Sequence, residues 1–245
     1  MNPSVVSATA RRVLTQLRHD PRTLALIVIV PCALVTLFKY VLEGAPGTFQ
    51  RVGLPLVGIF PLISMFLVTS ITMLRERTSG TLERLMTMPL AKIDILVGYA
   101  LAFAAVAIAQ TAIVCTVAIG GLGLSIEGSV LVVAAFAVLN ALLGMSLGLF
   151  VSAFAATEFQ AVQFMPAFIF PQLILCGLFA PRDTMARPLE WLSDALPMTY
   201  AYDGLERISA TGTVSGRLLT DAAIIVGSSL LALALGATTL RRRTP

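Results

Sequence analysis

One pentapeptide has the spacing of a covalent catalyst. Gly144-Met145-Ser146-Leu147-Gly148 fits the G-x-S-x-G of a serine nucleophile held on a sharp turn. A serine hydroxyl needs a neighbouring base to attack anything. The chain has one histidine, His19, and two lysines, Lys39 and Lys92. Each falls at the edge of a predicted span or beyond it, whereas Ser146 falls inside one. The same residues read better as a small-xxx-small seam for helix packing. No G-x-x-x-x-G-K-[ST] occurs, so this chain carries no P-loop for ATP. Cys32, Cys115 and Cys176 form no Cys-x-x-Cys and read as small buried hydrophobes, with no metal-ligand spacing. What remains is neutral: Gln110, Asn140, Gln163 and Gln172 lie within apolar runs. Each can line a substrate path or hydrogen-bond between helices.

The elements that hold these groups follow from hydropathy. The chain has 245 residues, 57% hydrophobic and only 12% charged, with mean hydropathy +0.90. Soluble domains carry about twice that charge. Uncharged runs cover 23–38, 52–74, 95–126, 128–157, 159–181 and 222–240. A helix needs about 20 apolar residues to cross a bilayer. Barrel strands would alternate apolar and polar, and these runs do not. The expected fold is therefore an all-α integral membrane protein with six transmembrane helices, at about 23–42, 52–74, 93–119, 129–155, 159–179 and 221–240. A soluble enzyme, a disordered chain and a small secreted domain are excluded. The net charge of +4 does not point to nucleic acid.

The placement of charge orients the spans. With both termini on one side, that side collects eleven Lys and Arg, among them Arg11, Arg12, Arg75, Arg77 and Arg241 to Arg243, against six opposite. The positive-inside rule makes that side cytoplasmic. The span centres hold no ionisable residue, which argues against ion coupling through charged side chains. Sodium held by backbone carbonyls stays open.

Three further segments carry pattern. Val6, Ala10, Val13 and Leu17 form a helical stripe before Pro21, so residues 1–22 read as an amphipathic helix on the cytoplasmic membrane surface. Residues 75–92 read RERTSGTLERLMTMPLAK. Gly80 stands where a short helix would start, with Glu83 three residues on. Leu82, Leu85 and Met86 then share one apolar face that needs membrane or a partner. Residues 180–221 are the longest connection and are too apolar for a simple loop. Their prolines and the Leu189, Leu192, Leu196 stripe fit helices dipping back into the outer leaflet, shielded by protein.

This order of parts resembles a type-2 ABC exporter permease of the daunorubicin-resistance type. The local matches are Glu76 with Gly80-Thr81-Leu82-Glu83 and Pro89, then Phe170-Pro171-Gln172 with Cys176-Gly177-Leu178-Phe179 and Pro181, then Leu196-Pro197-Met198-Thr199-Tyr200. The resemblance covers nearly the whole chain, as one permease domain at 23–245 after the amphipathic helix. It implies two permeases, identical or related, with two copies of a separate ABC ATPase that binds ATP and Mg; no cofactor is expected on this chain. It implies that a helix at about 76–88 docks on the ATPase, through Glu76, Gly80, Thr81, Leu82, Glu83, Leu85 and Met86. It implies short re-entrant helices at about 178–206, with Phe179, Pro181, Pro197 and Tyr200 as outer gate candidates.

The expected function is transport: the permease subunit of an ATP-driven exporter in the plasma membrane, both termini cytoplasmic, not itself an enzyme. A hydrophobic or amphipathic substrate (a drug-like compound, polyketide or lipid) would move by alternating access. The alternative is a secondary transporter or channel acting without an ATPase.

Overall fold

The computed structural model describes residues 2–81, 92–126, 128–211 and 215–239, all of them in helices and their connections, with no strand. α1 spans Pro3–Arg18 and starts from Asn2, whose side chain accepts the Ser4 N–H. α2 spans Pro21–Val41, with Asp20 capping its start through Thr23. In both helices a proline takes the first position, where its missing N–H costs nothing. α3 spans Pro46–Thr78, α4 Lys92–Cys115 and α5 Val130–Val151. α4 runs on as a π-helical stretch over Thr116–Gly121. α6 spans Glu158–Leu175, α7 Arg187–Ala195, α8 Pro197–Thr211 and α9 Gly216–Thr239.

Five of the described helices are long and apolar enough to cross a membrane: α2, α3, α4, α5 and α9. The sequence predicts six. The sixth is α6, which occupies the expected span at 159–179 and runs from the Arg75–Glu158 pair at the foot of α3 to the α7 corner at the opposite end of the bundle. It carries Glu158, Gln160, Gln163 and Gln172 and ends at Leu175. At 18 residues it reaches about 27 Å, just short of a hydrocarbon core of about 30 Å. Gly177 turns the chain beyond it with φ +104.

α3 is the centre of the bundle. In its apolar window 83% of residues are buried, against 17% for α2 and 28% for α9. Its 33 residues make about 50 Å of helix, so its ends project past the hydrocarbon. α5 packs along α3 through the seam predicted above. A side chain at Gly144 would run into the Leu62 carbonyl, and one at Gly148 into Phe66 and Thr69. Glycine at these positions permits backbone contact between the two helices. Ser146 is fully buried and donates to the Leu142 carbonyl at 2.8 Å. His19 stands at the end of α1, its ring on the Thr15 carbonyl. No serine nucleophile is assembled.

One local expectation changes. The α1 stripe is covered by protein: Val6, Val13 and Leu17 are buried, and the helix packs on α4, where Gly98 makes room for Thr9. Gly80 ends α3 and stands directly before Thr81, which is again helical. It follows Ser79 with φ +71, the left-handed conformation that commonly closes a helix.

The 180–221 connection is mostly helix. α8 packs on α3 and α9. Asn140, midway along α5, donates to the Ala201 carbonyl at 3.2 Å. The start of α8 therefore reaches the middle of the bundle. Its corner with α7 docks on the end of α6, where Ser193 Oγ donates to the Leu175 carbonyl at 2.8 Å.

Candidate functional site

The last turn of α3 carries three consecutive charged residues, each tied to a different neighbour. Arg75 grips Glu158 at the start of α6 with two bonds, Nε to Oε1 at 2.7 Å and Nη2 to Oε2 at 3.0 Å. It also lies 3.6 Å from Asp20, the α2 cap. Glu76 is buried and accepts from Arg12 of α1 at 3.2 Å. Arg12 also donates to the Tyr99 hydroxyl on α4 and lies over that ring, 5.6 Å from its centroid. Arg77 donates to the Ser152 carbonyl at the end of α5, at 2.6 Å. Successive helical positions point about 100° apart, so three in a row address three sides of a helix. The foot of α3 thus ties to α1, α4, α5 and α6 and to the α2 cap. Asp20 is held below the usual carboxylate range, first by the Thr23 hydroxyl, then by the Thr23 N–H and Arg75.

Of the predicted docking residues, Glu76 belongs to α3 and faces inward onto Arg12, while Gly80 and Thr81 follow the helix end. Leu82, Glu83, Leu85 and Met86 lie outside the described residues. Arg12 and Tyr99 escaped sequence reading. Nothing in the local pattern of α1 or α4 marks them, because their partner stands far away in the chain.

The neutral polar candidates separate into two groups. Gln110 is buried and its amide donates to Ser64 of α3. Asn140 is buried against α8. Gln172 is buried and donates to the Phe168 carbonyl of its own helix at 2.9 Å. The carbonyl oxygen of each finds no hydrogen-bond partner among the described residues. Gln163 differs: it is exposed on α6, as are Pro166 and Pro171 on the same helix.

At the other end, ion pairs fasten the α7–α8 region. Arg182 lies 3.0 Å from Asp194 and 2.6 Å from Asp203. Arg207 reaches Asp203 and, at 3.5 Å, Asp221 of α9. Arg51 at the start of α3 meets Glu206 at 3.3 Å. Burial pushes the Asp203 carboxyl up to about 6, with Arg182 and Arg207 opposing. Sequence reading passed over this cluster, although Asp203 and Arg207 stand at the i, i+4 spacing of a helical ion pair. The gate candidates lie around it. Phe179 and Pro181 are exposed, Pro197 opens α8, and Tyr200 donates to the Asp194 carbonyl at 2.7 Å.

A helical bundle with apolar spans, buried neutral amides and charge pairs at both ends defines a multi-pass membrane protein with the architecture of a permease. Comparison with known proteins narrows the class: residues 4–208 match the family described as ABC-2 type transporter. The chain belongs to that family. It is 30% identical over 156 residues to the probable multidrug ABC transporter permease YbhR of Escherichia coli K12, a match covering 62% of this chain and 42% of that one. It is 27% identical over 171 residues to the linearmycin resistance permease protein LnrN of Bacillus subtilis, covering 66% and 44%. ABC transporter G family member 20 of Dictyostelium discoideum is 30% identical over 145 residues, covering 59% of this chain and 20% of that protein. The chain thus spans less than half the length of these curated relatives.

Proposed function

We infer that this chain is the transmembrane permease of an ATP-driven exporter whose ATP hydrolysis takes place on a separate ABC ATPase. The observation that carries the reading is the foot of α3. The segment expected to dock on the ATPase, about 76–88, overlaps this foot in sequence, where Arg75, Glu76 and Arg77 are each tied to a neighbouring helix. A displacement of that segment would reach these helices together, which suits alternating access. Two ATPases and a second permease complete the transporter. The exposed edge of α6 supports the second permease. Gln163 among apolar side chains is costly against lipid, and it suits a polar path shared by two subunits. Buried Gln110, Asn140 and Gln172, in spans without central charges, support a hydrophobic or amphipathic cargo such as a drug-like compound, polyketide or lipid. The positive-inside count supports a cytoplasmic position for the termini and the foot of α3.

The test is Leu82→Ala with Leu85→Ala, in complex with a cognate ABC ATPase. Truncating buried apolar anchors costs about 2 kcal/mol or more, over tenfold in affinity. The variant should insert and dimerise normally but recover less ATPase or hydrolyse ATP without export. Normal recovery, hydrolysis and transport on matched folded protein would remove this segment as the coupling element. Gradient-driven flux by the chain alone would favour a secondary transporter.

A further inference from the structure

Between α6 and α7 the chain crosses the end of the bundle opposite the α3 foot as a link, residues 176–186. Its regular element is a single 3-10 turn at Arg182–Thr184. Ser193 closes the base of the link, its hydroxyl donating to the Leu175 carbonyl at 2.8 Å. The two ends of the loop are thus held together, while its middle depends on other contacts. Arg182 supplies them: Nη1 donates to Asp194 of α7 at 3.0 Å and Nη2 to Asp203 of α8 at 2.6 Å. Asp203 is buried and Asp194 is exposed. The link starts at Cys176, which has no exposed surface, and Gly177, whose φ of +104 is a conformation that other residues rarely adopt. Tyr202 and Arg182 close over this start: a Cβ on Gly177 would meet the Tyr202 ring at 3.3 Å and the Arg182 Cγ at 3.7 Å. Farther along, Phe179 and Pro181 are exposed, so little apolar burial holds the link down.

We propose that this link is a lid hinged at Gly177 and that Arg182 is its clasp. The lid is shut while Arg182 bridges Asp194 and Asp203, and it swings off Cys176 when that bridge breaks. A clasp made of one side chain can open without repacking α6 or α8, and glycine supplies the backbone rotation that a hinge absorbs. The bond to Asp203 carries most of the hold, because an ion pair in water contributes little and a charge-assisted hydrogen bond out of water contributes more. The lid itself depends on neither the cargo nor the ATPase; its place as an exit gate rests on the exporter reading given above.

The test follows maleimide labelling of Cys176 in purified full-length protein in detergent at neutral pH, with Cys32 and Cys115 replaced by alanine. With the clasp intact the thiol should label slowly. Arg182→Gln should label about tenfold faster, the worth of one charge-assisted hydrogen bond. Asp203→Asn removes the charge at the other end of the same bond and should act alike, so it decides the matter if Arg182→Gln misfolds. Asp194→Asn should do much less. Arg182→Lys keeps a cation for the buried carboxylate and should stay nearer the wild type. A matched protein that retains Cys115 instead, buried at the end of α4, is the control, and Arg182→Gln should leave its rate unchanged. Unchanged Cys176 labelling in Arg182→Gln or Asp203→Asn, equal speeding by Asp194→Asn or Arg182→Lys, or equal speeding at Cys115 would overturn the proposal. With a cognate ABC ATPase, turnover should speed wild-type labelling of Cys176. A rate indifferent to turnover, in a complex that still exports, would overturn the lid's role as exit gate and leave the exporter reading standing.

Discussion

Asp203 shows how a single carboxyl makes a membrane protein sensitive to pH. Arg182 of the preceding turn, Asp194 of α7, Glu206 and Arg207 of α8 and Asp221 of α9 set its electrostatic surroundings. Burial makes it harder to ionise than in the unfolded chain, with a folded value of about 6 against an ordinary value near 3.8. The folded protein therefore binds this proton more tightly than the unfolded one. Its contribution to stability is complete below about pH 4 and is lost as pH rises through about 6. Asp203→Asn removes the titration. Between pH 4 and 7, the stability difference between wild type and variant should change by about 2 kcal/mol, the wild type losing ground as pH rises. Unfolding in detergent across this range measures it, and parallel curves would refute the assignment. The Arg182 pair, at 2.6 Å, also makes Asp203 a fastening point for the turn after α6.

Among the elements, α3 and α5 decide whether the bundle forms. Their contact runs backbone to backbone at Gly144 and Gly148. Gly144→Val places atoms on the Leu62 carbonyl, which belongs to helix backbone and cannot swing away. Forced overpacking of this kind typically costs about 1–3 kcal/mol. Gly227→Ala in α9 is the matched control. Nothing lies within 4 Å of its added Cβ, and alanine favours helix by up to about 1 kcal/mol. Thermal unfolding of purified protein should fall for the first and hold or rise for the second. Equal effects would mean that the seam is not a tight contact. Ser146→Ala should change little, because that hydroxyl serves only its own helix.

For the whole molecule the deciding quantity is orientation. The foot of α3 and the α7–α8 region occupy opposite ends of the bundle, and the charge count predicts that the first is cytoplasmic. Thr78 and Thr184 are both exposed at these ends. In a variant without Cys32, Cys115 and Cys176, a cysteine at Thr184 should react with an impermeant thiol reagent in intact cells. One at Thr78 should react only after permeabilisation. The opposite result would invert the topology and with it the direction of transport. The same labels would report whether the α7–α8 end becomes more accessible during ATP turnover.

Local properties were legible in the sequence because they need no partner. Continuous apolar runs set the positions of α2 to α5 and α9 within a few residues. Four-residue glycine spacing marked the α5 seam. Rotation about each helix axis was not legible. A span that is apolar all round has no stripe to show which face is buried. Only the folded bundle turned Glu76 inward to Arg12, 64 positions earlier, and separated exposed Gln163 from buried Gln110, Asn140 and Gln172. Likewise the α1 stripe announced an apolar face, which the pattern assigned to the membrane surface and which α4 covers. These are contacts between segments distant in sequence, and their geometry is set by how neighbouring helices fill space together.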